Sequence, residues 1–553
     1  MTAIGIRHLP TAGLAAPGNL SFIGCMGSPL PPGVSEVDFA RAMDRFRAVV
    51  GEKGVAADLD EYLDPYPLGD PGRGAASAAL LPASTEQVRE VVRIAAEFDI
   101  PLWTVSRGKN LGYGGAAPRV RGSIVVDLGR MNQIIEVNDE LCYAIVEPGV
   151  TFFDLYNYVR ERGLRVWPSC PALGWGSVIG NTLERGWGYT PAGEHANSQC
   201  GMEVVLPDGD VIRTGMGAID GSRAWAVFKG GYGPAPDALF MQSNLGIVTK
   251  MGIWLYPQPQ SFLSARVDVD SDADLPRLVD ILARLQRTEV LQNHPLIGNV
   301  VRHAASIAPR SHWYTGDGAM PDSVVEDIRR QLGIGAWHAR FALYGSPAMI
   351  AARWDAVREA FADVPGARLT ERTYTAEDGA GLLAEDVPGP DRGGQTGFPS
   401  LVALESVKFR GNNGAHIGFS PVLPANGTEV LAFYQVAKEI SAKHGFDFYP
   451  GFHCYPRHLV HINMIIFDAD DTGQRASAAA LFRDLVAAAR QRGYSEYRAH
   501  TDFMDLVADQ FDFNGHALRR FNQRLKDALD PRGILSPGKQ GIWPAGSRTS
   551  ATP

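Results

Sequence analysis

Chemistry is most concentrated in Ser106-Arg-Gly-Lys-Asn-Leu-Gly-Tyr-Gly-Gly-Ala-Ala-Pro118. Gly108, Gly112, Gly114 and Gly115 leave successive backbone N–H groups free to turn into one concavity, the arrangement that holds a phosphate or pyrophosphate. A plain flexible loop is the competing reading of the same spacing. Gly112-Tyr-Gly114-Gly-Ala-Ala117 also satisfies G-x-G-x-x-A, but that pattern signifies a dinucleotide site only when a helix follows it. Here Pro118 follows, and then the strand-like Gly122-Ser-Ile-Val-Val-Asp127. The sequence therefore argues against a nicotinamide Rossmann domain, and any nucleotide would be held by loop backbone.

The elements that must position this loop can be read from apolar spacing. Ser35-Glu-Val-Asp38 is a capping box that opens an amphipathic helix carrying Phe39, Met43 and Phe46 to about Val50. A second helix follows Pro82-Ala-Ser-Thr, with Val88, Val91, Val92 and Ala95 on one face, and the strand Leu102–Ser106 delivers the chain to the loop. Strand-like runs recur at 124–128, 133–137 and 142–146, a helix is expected near Phe153–Arg160, and Val204 to Arg213 is a hairpin turning at Asp208-Gly209. Asn244–Thr249 and Met251–Leu255 close this block. From a strand at Phe262–Val269 and a helix near Leu275–Arg287 the rhythm changes, so 263–499 reads as a second α+β unit over the first. Phe503 to Trp543 is expected to be amphipathic helix returning to residues 1–262.

Composition narrows the functional classes. The 553 residues suffice for two or three domains, and a formal charge of -9 with no basic run disfavours nucleic acid as a partner. No apolar run is long enough to cross a bilayer, and the first residues, Met1 to His8, do not resemble a secretory leader, so a cytoplasmic enzyme is expected. Cys25, Cys142, Cys170, Cys200 and Cys454 are odd in number and far apart, hence reduced thiols. No H-E-x-x-H or comparable cluster supports a metal site.

Taken in order, Gly108 to Pro118, Val146-Glu-Pro-Gly-Val-Thr151, Gly176-Ser-Val-Ile-Gly-Asn181, Glu184-Arg-Gly-Trp-Gly-Tyr-Thr-Pro191, Arg213-Thr-Gly-Met-Gly217, Ser243 to Lys250, Asn413-Gly-Ala-His416 and Pro537-Gly-Lys539 resemble the vanillyl-alcohol oxidase and p-cresol methylhydroxylase flavoproteins. The resemblance runs from about residue 80 to the C-terminal region. It implies an α+β, two-domain FAD-binding fold with an α+β cap: an FAD domain at 1–262 to which 500–553 return, and a cap at 263–499. It also implies that Arg107, Gly108, Lys109, Asn110, Gly112, Gly114 and Gly115 hold the FAD pyrophosphate. Gly176, Ser177, Gly180, Asn181, Gly246, Ile247, Val248 and Lys539 line the rest of the cofactor. Homo-oligomers, dimers or octamers, are expected on the same ground.

The resemblance further implies that Tyr113, Tyr497 and Arg498 bind a para-substituted phenol as phenolate. Ionising a phenol of pKa about 10 at neutral pH requires about 4 kcal/mol. A guanidinium at about 4 Å in an effective dielectric near 20 supplies that order of energy, and two phenolic donors add charge-assisted hydrogen bonds. The phenolate then expels hydride from its benzylic carbon to FAD, and water addition or β-proton loss completes the product. Electrons pass to dioxygen, or alternatively to a cytochrome. His416 matches the histidine bonded to the flavin 8-methyl group, for which a neutral imidazole nitrogen is suited. The tyrosine that replaces it in one relative would fall at about Lys408.

Two departures stand out. No histidine lies between His8 and His195 to activate His416, and Ala172 occupies the place of an aspartate near flavin N5. Glu496 or His453 is expected to take over the role of base. If neither does, the rival reading is a weakly catalytic flavin-binding assembly protein.

Overall fold

A computed structural model describes residues 28–377 and 380–548. The expectations for Met1 to His8 and for Cys25 fall outside these residues. The other four cysteines are free thiols.

The expected first helix is Glu36–Val50, capped by the Ser35 side chain on the Asp38 amide, and it buries Met43 and Phe46. The second is Thr85–Glu97, capped by Ser84, with Val88, Val91, Val92 and Ala95 buried. Both pack on a small parallel sheet in which Ile124–Asp127 lies between Ala78–Leu80 and Leu102–Val105. The glycine loop leaves the end of Leu102–Val105, which fixes where it can reach. An antiparallel five-stranded sheet follows, ordered Ile134–Asn138, Tyr143–Val146, Ile247–Trp254, Gln199–Val205, Val211–Arg213. The two runs expected at 244–255 form this single strand Ile247–Trp254. Lys250, which interrupts the apolar pattern, stays in the strand because its ammonium pairs with the buried Glu203 carboxylate at 2.6 Å.

Strands between Ser261 and Glu496 build a nine-stranded antiparallel sheet. Successive side chains point to opposite faces of a strand. Leu263, Ala265, Val267, Phe341, Ile417, Phe419, Phe452 and Phe467 turn to the face covered by helices Leu275–Arg287, Gly427–Lys443 and Thr472–Gln491, forming the largest core. The same alternation sends His416 and His453 to the other face: they pair across the ladders with Ile466 and Val460, an even distance apart on one strand.

The C-terminal segment departs from the expected single helix. It forms Met504–Ala508 and Phe513–Leu529, and Asn514, Gly515 and His516 carry positive φ, so regular helix begins only beyond them. The segment then docks on the first sheet. Leu102 donates to the Ile534 carbonyl and accepts from the Ser536 amide, both at 2.7 Å. Lys526, fully buried, reaches Asp530 at 2.7 Å and the carbonyls of Asn244 and Leu535. No helix among the described residues is long and apolar enough to cross a membrane.

One core residue gives the fold a measurable acid sensitivity. His461 is stacked on Phe452 at 4.8 Å, flanked by Phe433 and Phe448 at 5.6 Å, and neither ring nitrogen has a partner. Burial pulls its pKa from 6.5 down to about 3. The unfolded chain therefore takes up this proton first, and the stabilisation is present above about pH 6.5 and lost as pH falls toward 3. Chemical denaturation at pH 7 and pH 5 should show a loss about 2 kcal/mol smaller in His461→Phe than in the wild type. Equal losses would refute this account.

Candidate active site

The glycine loop is built for close approach. Gly108 and Gly114 have φ of 61° and 99°. A Cβ on Gly112 would lie 2.5 Å from His416 Nε2, and one on Gly114 would lie 2.3 Å from Thr501 Oγ1. Among the described residues, none of the backbone amides from Arg107 to Gly112 donates to a carbonyl, whereas Tyr113 and Gly115 both turn back to the Asn110 carbonyl. Such a run of free amides is a nest for an anion.

The loop opens on a cleft of about 1350 Å³, open mouth included. Arg107, Gly108, Lys109, Asn110, Tyr113 and Gly115 line it, together with Gly176, Ser177, Gly180, Asn181, Gly246, Ile247, Val248, Arg498 and Lys539. Gly112 and Gly114 do not face the cavity; their bare backbones instead admit His416 and Thr501. Lys539 touches the cavity, but its ammonium is held 2.8 Å from Glu184. Asn181 bonds His195 Nδ1 at 2.6 Å. The atom facing Nδ1 is Asn181 Oδ1, His195 Nε2 lies 2.8 Å from the Ser169 carbonyl, and burial pulls the ring's pKa down to about 4.

Tyr113 and the adjacent pair Tyr497 and Arg498 are brought together from two distant segments. The Arg498 guanidinium carbon lies 4.9 Å from the Tyr113 ring centroid and 5.2 Å from that of Tyr497. Its Nε and Nη2 both donate to the Glu184 carbonyl, at 3.0 and 2.6 Å. Burial opposes its charge, but Tyr497, Tyr113 and Glu184 outweigh burial and hold its pKa above the ordinary arginine value. Burial pushes the Tyr497 phenol well above 10 despite Arg498, so it keeps its proton and remains a donor. Glu184 stays ionised against burial because Lys539 and Arg498 face it.

Trp187 extends this cluster toward the cap. Its ring lies 5.3 Å from Tyr497 and 4.5 Å from His453, and its indole N–H donates to His453 Nε2 at 3.0 Å. Indole is a donor only, so the proton of a neutral His453 must be on Nδ1. Burial pushes the His453 pKa well down, which keeps it neutral. His453 is thereby presented as a donor, not as the base expected from the sequence. Glu496 is displaced further. It pairs with Pro421, on the helix-covered side of the sheet, and its carboxylate accepts from the Ser420 amide at 2.7 Å. Burial raises its pKa well above the ordinary value, so it is a protonated acid turned away from Tyr497. Ala172 is exposed and offers only a methyl group.

His416 lies against the glycine loop, 5.4 Å from the Tyr66 ring, with Nδ1 buried and unpartnered. Burial, aided by His500, lowers its pKa to about 4, leaving a neutral imidazole at pH 7. Asp64, which accepts from the Tyr66 amide, also lies 3.1 Å from His500 Nε2. The free amides of 107–112 would suit the pyrophosphate of an FAD, and the unpartnered His416 nitrogen lies beside that loop. Lys408, by contrast, is exposed and paired with Glu405. The sequence quoted Glu184 and Trp187 within one motif without a role for either; the hydrogen bonds that define their roles come from segments hundreds of positions away.

Nest, cavity and cap define a two-domain FAD-binding oxidoreductase fold. The FAD binding domain family matches residues 76–215, and the C-terminal domain of FAD linked oxidases matches 424–540. The chain is 38% identical to the 4-cresol dehydrogenase [hydroxylating] flavoprotein subunit of Pseudomonas putida over 93% of its own length and 97% of that protein. Among solved structures, 4-ethylphenol oxidase from Gulosibacter chungangensis, in its isoeugenol complex, superposes with a TM-score of 0.88 at 38% identity, covering 94% of this chain and 100% of that one. Substrate-bound p-cresol methylhydroxylase gives 0.88 at 37%, covering 93% and 99%. The chain belongs to the vanillyl-alcohol oxidase and p-cresol methylhydroxylase flavoprotein family, and it is an FAD-dependent oxidoreductase.

Gly112 tests the geometry around His416. Gly112→Ala places a methyl group 2.5 Å from His416 Nε2, an overpacking worth about 1–3 kcal/mol. The variant should retain its circular dichroism yet carry less flavin per protein after gel filtration. Gly69→Ala, with nothing within 4 Å of its Cβ, is the control. Full flavin content in Gly112→Ala would remove His416 from the cofactor's edge.

Proposed function

We propose that this protein oxidises para-substituted phenols, passing two electrons from the benzylic carbon through FAD to dioxygen. The observation that carries the reading is Arg498, charged, within 4.9 and 5.2 Å of the Tyr113 and Tyr497 rings and lining the cavity. The Glu184 carbonyl occupies Nε and Nη2, which fixes the guanidinium plane and leaves Nη1 for a substrate oxygen. A phenol set there meets a fixed cation and the Tyr497 O–H, and its ionised form is favoured over the neutral one. Negative charge spread into the ring weakens the para benzylic C–H bond toward loss of hydride. The bound flavin supplies the hydride acceptor. What leaves the substrate is a hydride, what remains is a quinone methide, and water adds to its benzylic carbon with the proton returning to the phenolic oxygen.

The same reading divides the chain near 262 and 499, and it gives His416 the covalent tether through the flavin 8-methyl group. The neutral, unpartnered imidazole nitrogen supports that assignment. A homo-oligomer, dimer or octamer, in the cytoplasm goes with it. A second reading sends the electrons to a cytochrome. Its support is the 38% identity to a flavoprotein subunit named as a dehydrogenase.

Anaerobic stopped-flow mixing should bleach the flavin with 4-ethylphenol and not with its methyl ether, because only the phenol can ionise. Arg498→Gln should slow that reduction about 10²–10³-fold, as loss of a principal donor to a developing anion does. Admission of air should restore the oxidised spectrum within seconds; slow return would give the acceptor role to the cytochrome. Equal bleaching by phenol and ether would overturn the phenolate mechanism.

Acid precipitation reads the tether separately. Wild-type protein should keep its yellow colour in the pellet and His416→Ala should release it. Release from the wild type would reject the bond.

A further inference from the structure

Past Trp187 the cap wall carries a second cation. On the strand Pro450–Cys454, Gly451 and His453 are two residues apart and share the face turned away from the helix-packed core. A Cβ on Gly451 would lie 2.7 Å from Arg302 Nη1, so the guanidinium rests on bare backbone beside His453. Arg302 comes from the helix Val300–Ala305, and its guanidinium lies 5.1 Å from the Tyr449 ring centroid.

Neither group is satisfied. Arg302 Nη1 is buried without a hydrogen-bond partner, and so is Nδ1 of His453, which must carry the imidazole proton. Among the described residues Arg302 forms no ion pair, while Asp268 pairs with Arg266, Asp391 with Arg372 and Asp447 with Arg310. Arg302 is partly buried, and a buried N–H such as its Nη1 is unfavourable unless an acceptor reaches it. The stack Tyr497, Trp187, His453 joins this end of the site to the phenol end through ring separations of 5.3 and 4.5 Å.

We propose that the para substituent of the preferred substrate ends in a carboxylate, held by Arg302 Nη1 and by the His453 Nδ1–H, so that 4-hydroxyphenylalkanoates are taken ahead of plain alkylphenols. This rests on the phenol-oxidising reading of the same site. A site whose buried donors expect an anion rejects analogues that lack one more strongly than an apolar pocket rejects a missing methylene. The two ends of the substrate are thus held by two arginines, and the benzylic carbon is fixed between them.

The test uses the holoenzyme with 3-(4-hydroxyphenyl)propanoate and 4-(4-hydroxyphenyl)butanoate, each against its primary amide, and with 4-ethylphenol. Binding is read from the flavin absorbance change, and reduction from anaerobic bleaching. At least one carboxylate should bind about tenfold or more tightly than its amide, the preference a single charge-assisted hydrogen bond confers. Arg302→Gln should abolish that ratio, and Arg302→Lys should keep part of it. Amides that bind as well as both carboxylates in the wild type, or a ratio unchanged in Arg302→Gln, would overturn the proposal. The wild-type ratio decides even where a variant does not fold. A carboxylate preference without bleaching by any phenol would sink the phenol-oxidising reading and leave the anion site standing. Bleaching by 4-ethylphenol without a carboxylate preference would sink the anion site alone.

Discussion

Arg498 must stay charged where water is largely excluded, and much of the site is arranged so that it can. Its guanidinium has two aromatic rings at 4.9 and 5.2 Å and a single carbonyl, that of Glu184, taking two of its N–H groups. The Glu184 carboxylate is in turn pinned by Lys539 from the C-terminal segment. Four stretches of chain therefore meet at one cation: the glycine loop, the motif at 184–191, the strand end at 496–498 and the final turn. A fixed, partly desolvated charge of this kind needs no reorganisation when a phenolate forms beside it. The same charge would be destabilising if any one of the four stretches failed to dock.

The pleat of the cap sheet does the rest of the positioning. Because alternate residues face opposite ways, one strand face can be apolar core while the other carries chemistry. His416 and His453 sit on separate strands yet emerge on the same side, since both pair with even-numbered positions of His458–Asp468. Glu496 and Tyr497 are sequence neighbours with opposite fates for the same reason. One caps a backbone amide over the core, and the other stands in the site. A one-residue slip at that edge would exchange them.

This explains which features could be read before the structure. Local patterns were legible: capped helices at 36–50 and 85–97, the hairpin at 204–213, and a glycine loop followed by a strand and not a helix. The membership of Tyr113, Tyr497 and Arg498 in one cluster was legible only through resemblance, because nothing in their spacing brings together positions nearly four hundred residues apart. The roles of Trp187 and Arg302 left no local signal. Trp187 acts by choosing a tautomer for a histidine on another strand, and nothing in the sequence around Arg302 marks its Nη1 as buried and unpartnered. Lys250 misled for the converse reason: a lysine inside an apolar run reads as a break until its buried partner Glu203 is seen. The C-terminal segment was read as one helix because its amphipathic period continues across residues 514–516, where three positive φ values interrupt the backbone but not the pattern.

The unsatisfied groups are the most informative part of the architecture. A buried donor without a partner is destabilising, and a fold optimised for stability alone would pair it or replace it with hydrocarbon. His461 shows what an unpartnered ring does where it serves packing: it is enclosed by phenylalanines, far from any opening. His416, His453 and Arg302 differ from it in place, lying on the opposite face of the sheet. His416 abuts the loop that faces the cofactor cavity, and the other two continue the aromatic stack that begins at Arg498. Their positions are chemically distinct: a neutral imidazole nitrogen beside the glycine loop, and two unpartnered donors beyond Trp187. These open valences lie not in the core of the cap sheet but on its other face, where a ligand and not a side chain can complete them.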